Sequence, residues 1–211
     1  MKKLVFAIGV ITFAAFKTQA QLIWVNEFHY DNSGTDTGEF FEIAAPSSLT
    51  DLASVTLTLY RGSDGTSYGS HKLSTFSVGS TAGNYTLYSK NISGIQNGAP
   101  DGFALDQSGS VLQFLSYEGA FQASGGVASG LTSTDIGVAE SSSTASGASL
   151  GLTGTGHLYG EFQWTTFTDD SPGGGNSGQT FSAVPEPGEY ALFAGLGLLI
   201  FAVFRRRWAA G

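Results

Sequence analysis

The chain has no cysteine, and among its 211 residues only nine are lysine or arginine. The first absence excludes disulfide staples, thiol nucleophiles and thiolate metal sites, so stability in an oxidising compartment must come from a hydrophobic core. The second is sharper than the total suggests. Between Gln21 and Val184 only Arg61, Lys72 and Lys90 are basic, against fifteen acids, a net charge of −12. Such a surface repels phosphate backbones and anionic lipid, which argues against nucleic-acid binding. It suits a secreted protein that must remain soluble, or one that takes up cations.

Apolar runs are confined to the two ends. At the N-terminus, Lys2 and Lys3 precede an apolar stretch from Leu4 to Phe16, and Thr18-Gln19-Ala20 supplies small residues at the end of it. This order predicts a signal peptide over residues 1–20, cut by signal peptidase between Ala20 and Gln21. Lys17 and the shortness of the run argue against a retained anchor. At the C-terminus, Pro185-Glu186-Pro187 precedes an apolar run from Ala191 to Phe204 and then Arg205-Arg206-Arg207. Fourteen helical residues reach about 21 Å, a marginal span of a hydrocarbon core about 30 Å thick. A transmembrane helix over 190–204 is expected, with the arginines cytoplasmic and everything before Pro185 on the outer face. Trp208 then reads as an interfacial anchor.

Pro185-Glu186-Pro187, the helix carrying Gly195 and Gly197, and Arg205 to Arg207 together resemble the PEP-CTERM sorting signal of Gram-negative bacteria. The resemblance covers residues 184 to 208. It implies processing by an exosortase near the Pro-Glu-Pro motif, transient residence in the inner membrane, and delivery to the outer cell surface or extracellular matrix.

The passenger, residues 21–183, has the size of one domain. Its pattern is that of strands. Val55, Leu57 and Leu59 alternate with Thr56, Thr58 and Tyr60, and in Leu158 to Phe167 the residues Leu158, Phe162 and Trp164 share one face. Further strands are predicted at Leu22–Tyr30, Glu39–Ala44, Tyr85–Ser89, Phe103–Asp106 and Val111–Tyr117. Turn-forming residues separate them, as at Asp31-Asn32-Ser33-Gly34, Arg61-Gly62-Ser63-Asp64-Gly65 and Ser108-Gly109. Short strands with frequent turns and no helical period predict an all-β sandwich. Ser124 to Ser149 reads as a long surface loop or poorly formed edge anchored by Val127, Leu131, Ile136 and Val138. From about residue 169, Ser171-Pro172-Gly173-Gly174-Gly175 suggests a turn into a flexible stalk.

A second resemblance lies in this region. Ile23 to Asn32 with Gly38 to Ile43, Gly94 to Leu105, Val111 to Gly119, Ser133 to Val138, and Ser171-Pro172-Gly173 with Gly178 to Phe181 together resemble a bacterial lamin tail domain. Arg61 to Ser93 departs from that pattern beyond its strand character. The resemblance implies an immunoglobulin-like β-sandwich of the lamin tail type. In secreted bacterial proteins that module often accompanies nucleases or phosphatases, so an accessory role for a separate hydrolase is the alternative to a non-catalytic binding or structural module.

Catalytic chemistry is thinly represented. His29, His71 and His157 form no H-x-x-x-H pair, and no G-x-S-x-G motif occurs. His29 stands two residues from Asp31, which raises a His/Asp site against the plainer reading of a polar strand end. No enzyme activity and no organic cofactor are expected. Asp31, Asn32, Asp36 and Glu39 concentrate oxygen donors on one turn, which suits calcium without matching an EF-hand; carboxylates capping a solvated hairpin are the other reading. Glu27, Glu39 and Glu42 have a third role open to them, ordering neighbouring strands. Trp24 and Trp164 read as core. Tyr60, Tyr68, Tyr85, Tyr88 and Tyr159 are candidates for a patch that contacts polysaccharide, and other surface proteins are the remaining class of partner.

Overall fold

A computed structural model describes residues 21–182. The signal peptide and its Ala20–Gln21 junction, the Pro185-Glu186-Pro187 motif, the 190–204 helix and Arg205 to Arg207 therefore lie wholly or partly outside the described residues. Among the described residues no helix is long and apolar enough to cross a membrane.

The fold is all-β. Twelve strands run β1 (Trp24–His29), β2 (Phe40–Pro46), β3 (Val55–Arg61), β4 (Ser67–Lys72), β5 (Ser77–Ala82), β6 (Tyr85–Asn91), β7 (Asp101–Gln107), β8 (Ser110–Tyr117), β9 (Thr134–Asp135), β10 (Ser149–Gly156), β11 (Gln163–Phe167) and β12 (Gln179–Phe181). One sheet has the order β11-β10-β1-β2-β6-β5, with β12 added in parallel to β10. The other has the order β4-β3-β7-β8-β9. Period-two alternation turns Phe41, Ile43 and Ala45 of β2 toward Leu57, Leu59, Phe103, Leu105 and Leu115 of the opposite sheet, and this cluster is the main core. A bulge at Val25–Glu27 shifts the register of β1 against β2 and frees the Val25 amide to donate 2.8 Å to Gln113 Oε1 across the core.

The outer faces are covered as well. Over the first sheet, Phe162 and Phe181 pack on Trp24, Tyr85, Leu87 and Leu152. Over the second, Phe121 and Ala123, with Ala128 of the long loop, close on Tyr60, Ala104 and Phe114.

Several expectations need correction. Leu158–Phe167 is not one strand, because a single 3-10 turn at Tyr159–Glu161 interrupts it and only Gln163–Phe167 pairs with β10. The cause is Glu161, whose carboxylate accepts the His157 and Leu158 amides at 2.7 and 2.9 Å and bends the chain. The stalk expected from about residue 169 is, as far as Ser182, a strap fastened across the first sheet. Leu131 is exposed rather than an anchor of the 124–149 loop, whereas Ile136 and Val138 do pack against the core. Five strands carry too little alternation to be read from sequence, among them the two-residue β9. β4 and β5 lie at sheet edges and are largely exposed, β10 is rich in glycine, and β12 has three residues.

Candidate functional site

Two buried polar assemblies organise the molecule, and the sequence-predicted residues divide between them. The first lies where β1 finishes. His29 is fully buried, with Nδ1 2.7 Å from Glu140 Oε1 and Nε2 3.2 Å from Asn32 Oδ1. Glu140 Oε2 accepts the Tyr30 and Asp31 amides at 2.7 and 3.0 Å. The Tyr30 hydroxyl in turn reaches Glu118 Oε1 and accepts the Glu140 amide, while its ring stacks on Tyr117 with centroids 4.0 Å apart. Glu118 sits at φ 60°, a left-handed conformation uncommon for a side chain with a Cβ, in the turn that leads out of β8. The hub thus ties the low-complexity loop to the strand end. Burial alone would push the imidazole down, but the bond and charge of Glu140, with Asn32 and Asp170, carry it above its ordinary value. A histidine engaged at both nitrogens and closed to solvent is a structural member rather than a poised base.

The four predicted calcium ligands are not gathered at one point. Glu39 spends both oxygens on the Gly94 and Ile95 amides, at 2.7 Å each, and so holds the 92–100 loop. Asn32 Oδ1 accepts the Thr37 amide at 2.9 Å, and Asp36 Oδ1 accepts that of Asn32 at 3.2 Å. Asp31 is raised above the usual carboxylate range, first by burial and then by Asp36. Among the described residues no group of three histidines and acids is placed to hold a metal ion. Thermal unfolding of the passenger is accordingly expected to show the same Tm in millimolar calcium and in chelator, and a calcium-dependent rise would restore the ligand reading.

The second assembly lies on the outer face of the first sheet. Glu27 and Glu42 stand opposite one another on β1 and β2, both fully buried. The strap of residues 170–182 covers them. Glu27 is within 2.6 Å of Ser149 Oγ, 3.0 Å of the Ser171 amide and 2.9 Å of Ser171 Oγ. Glu42 accepts Asn26 Nδ2 at 2.9 Å and the Gly173 amide at 2.6 Å. Asn176 Nδ2 reaches the Asn26 and Leu152 carbonyls, and the Gln179 and Asn26 amide groups face each other at 2.7 and 3.1 Å. Two glycines make the close approach feasible. A Cβ on Gly151 would lie 2.6 Å from Asn176 Nδ2, and one on Gly79 would lie 2.5 Å from the Gly173 carbonyl oxygen.

Asn176 directs its amide nitrogen at two carbonyls, and its Oδ1 accepts Ser171 Oγ at 3.0 Å. Ser171 Oγ also donates toward Glu27 Oε2 at 2.9 Å, so its single hydrogen is shared between two acceptors. Burial raises Glu27 against the lowering bonds from Ser149 and Ser171. Burial also carries Glu42 from 4.5 to about 8, with Glu27 adding repulsion against the lowering bonds from Asn26 and Gly173.

The linkage has one sign. An acid raised on folding stabilises in full below its unfolded value, and that contribution is lost as pH rises through the folded value. Glu27, Glu42, Asp31, Asp101 and Asp170 are all raised, as is His29. Asp64 and Glu161 are lowered by local hydrogen bonds, but both are surface groups. We expect Tm to fall as pH rises from 4.5 to about 8, the window between the two Glu42 values, and Glu42→Gln to flatten the upper part of the curve. A Tm rising steadily across that window would contradict the raised values of the buried acids.

The aromatic candidates separate cleanly. Trp24 is core and Trp164 is half-buried, edge-on to Phe28 with centroids 5.6 Å apart. Tyr60, Tyr85 and Tyr88 are buried, so the five tyrosines do not form the patch expected for polysaccharide. Tyr68 and Tyr159 are half-buried and use their hydroxyls on the Gln96 amide and Trp164 Nε1. Clefts of 440 and 680 Å³ adjoin at Leu22, Pro46 and Ser48. Their walls are apolar and amide or hydroxyl groups, with no acid or histidine.

Sequence reasoning missed Glu140, since nothing marks one acid inside a Ser/Gly/Thr tract. Glu27 and Glu42 carried a signal, because each interrupts an apolar strand. Comparison with known protein families, characterised proteins and solved structures finds no match to this chain.

Proposed function

We propose that the chain is a non-catalytic exported protein of the cell surface or extracellular matrix, delivered through its PEP-CTERM-like tail. Its immunoglobulin-like sandwich of the lamin tail type is the binding or structural module. Signal peptidase releases the N-terminus and an exosortase processes the tail, after transit through the inner membrane. The observation that carries the reading is the ordered tail, Pro185-Glu186-Pro187, apolar run and Arg205-Arg206-Arg207, behind a cysteine-free acidic passenger.

The geometry supports the non-catalytic part. His29 is committed to Glu140 and Asn32 in the interior, and the paired acids Glu27 and Glu42 are buried under the strap. The domain invests its polar chemistry in fixing loops, as a durable extracellular module requires. Partners are then a matrix polysaccharide, another surface protein or a second copy of the chain, met through loops and edges rather than through an aromatic platform.

Purified residues 21–182 test this. Sedimentation with the producing cells' own matrix, or concentration-dependent self-association, is the expected result. Recovery only in complex with a secreted nuclease or phosphatase would replace the reading with that of an accessory module.

A further inference from the structure

Among the described residues every sheet edge but one is guarded. β9 and β12 have two and three residues. β5 breaks register between Val78 and Thr81, and its Ser80 amide is spent on the Gly173 carbonyl at 2.7 Å. β4 breaks register at Tyr68 and ends on Lys72. Shortness, bulges and charges of this kind are how natural sheets resist pairing with further strands. β11 has none of them. Gln163-Trp164-Thr165-Thr166-Phe167 is uncharged, free of proline and glycine, rich in strand-forming side chains, and in unbroken register with β10 over its whole length. Its other side meets no strand among the described residues.

Charge decides what suits that edge. Glu161 precedes β11 and Asp169 and Asp170 follow it, so a second β11 laid antiparallel against it would set acid against acid. The opposite charge lies across the molecule. β5 is the far edge of the first sheet, and the short turn at Leu73–Thr75 leads into it from β4, which places β4 on the side away from β11. Lys72 ends β4, and Lys90 Nζ donates to the Thr75 carbonyl at 3.2 Å. Burial and then the Lys90 charge hold His71 below its ordinary value. Two of the three lysines and arginines among the described residues therefore share this corner. From Gly69 to Lys72 the register of β4 with β3 is regular. The guard on this stretch is a charge, and a charge excludes only edges of its own sign.

We propose that the β11 edge of one chain pairs with the β4 edge of a second copy, over Gly69 to Lys72, with Lys72 set beside the acids that flank β11. Both flanks are acidic, so Lys72 meets a carboxylate whether the strands run parallel or antiparallel. Because the two edges lie on opposite sides of one molecule, the contact is heterologous, and each added copy presents a fresh edge. The product is an open fibre rather than a closed dimer. This deepens the reading of the passenger as a structural module, and rests on it, by naming a second copy as its partner.

The absence of cysteine makes crosslinking a clean test. Thr166 on β11 and Ser70 on β4 are both exposed. The full chain is produced in the native host as Thr166→Cys, as Ser70→Cys and as the double variant, and cells with their matrix are treated with a short bismaleimide. The double variant should give a ladder of dimers, trimers and longer species, and each single variant only monomer. Lys72→Glu in the double variant should weaken the ladder about tenfold, since it replaces an attraction at the seam with a repulsion. Dimers in either single variant would show like edges pairing about a two-fold axis and overturn the proposal. So would a ladder indifferent to Lys72→Glu, or monomers throughout when a monofunctional maleimide labels both thiols. Monomers that still sediment with the matrix would overturn the self-pairing while leaving the module a binder of polysaccharide or of another surface protein.

Discussion

Replacing Glu140 with alanine is expected to cost about 3–5 kcal/mol, the range for breaking a buried ion pair by removing one partner. The carboxylate serves three groups at once, His29 Nδ1 and the amides of Tyr30 and Asp31, all in the interior. Truncation strands each of them, and an unmet buried donor costs about 1–3 kcal/mol. Against a typical total of about 5–15 kcal/mol, this is a large fraction. Glu140→Gln keeps one acceptor oxygen and the side-chain volume, so its loss should be smaller. Urea unfolding gives the magnitude, and hydrogen exchange should show faster exchange at Ser33, whose amide donates to the Thr144 carbonyl. A loss under about 1 kcal/mol, the level of an ordinary surface substitution, would mean the hub is decorative.

Phe28→Ala should be as damaging for a different reason. Phe28 is fully buried at the meeting point of both sheets, stacked on Phe41 at 5.1 Å and edge-on to Phe103 at 5.2 Å. Tyr117 and Trp164 complete the cage at 5.7 and 5.6 Å. Removing the ring leaves a cavity walled by other rings that are themselves held, so collapse is limited and the cost falls at about 3–5 kcal/mol. The urea midpoint should drop with m unchanged. A change in m as well would indicate that the two sheets no longer unfold together.

These two residues show what was legible in the chain and what was not. Phe28 belongs to an aromatic and β-branched run that announces a strand, and the alternation of Val55 to Tyr60 and the run Phe103 to Asp106 were equally open to reading, inside the strands Val55–Arg61 and Asp101–Gln107. Glu140 was hidden, since its role depends on a partner 111 positions away. The strap was misread as a stalk because its glycines signal flexibility locally, yet Gly173 is fixed by Glu42 and Ser80 from distant strands. β10 escaped for the same reason. Its Gly151 marks the close approach of Asn176 rather than a turn. The turn acids gave the right location and an incomplete purpose, for Glu39 caps a loop 55 residues on.

The account stands most directly on the fate of the tail. Intact mass of the native protein should be measured in inner-membrane, outer-membrane and medium fractions. The account predicts a chain beginning at Gln21, lacking the residues beyond Pro187, and found outside the inner membrane. A chain that retains Arg205 to Arg207 and occurs only in the inner membrane would contradict it.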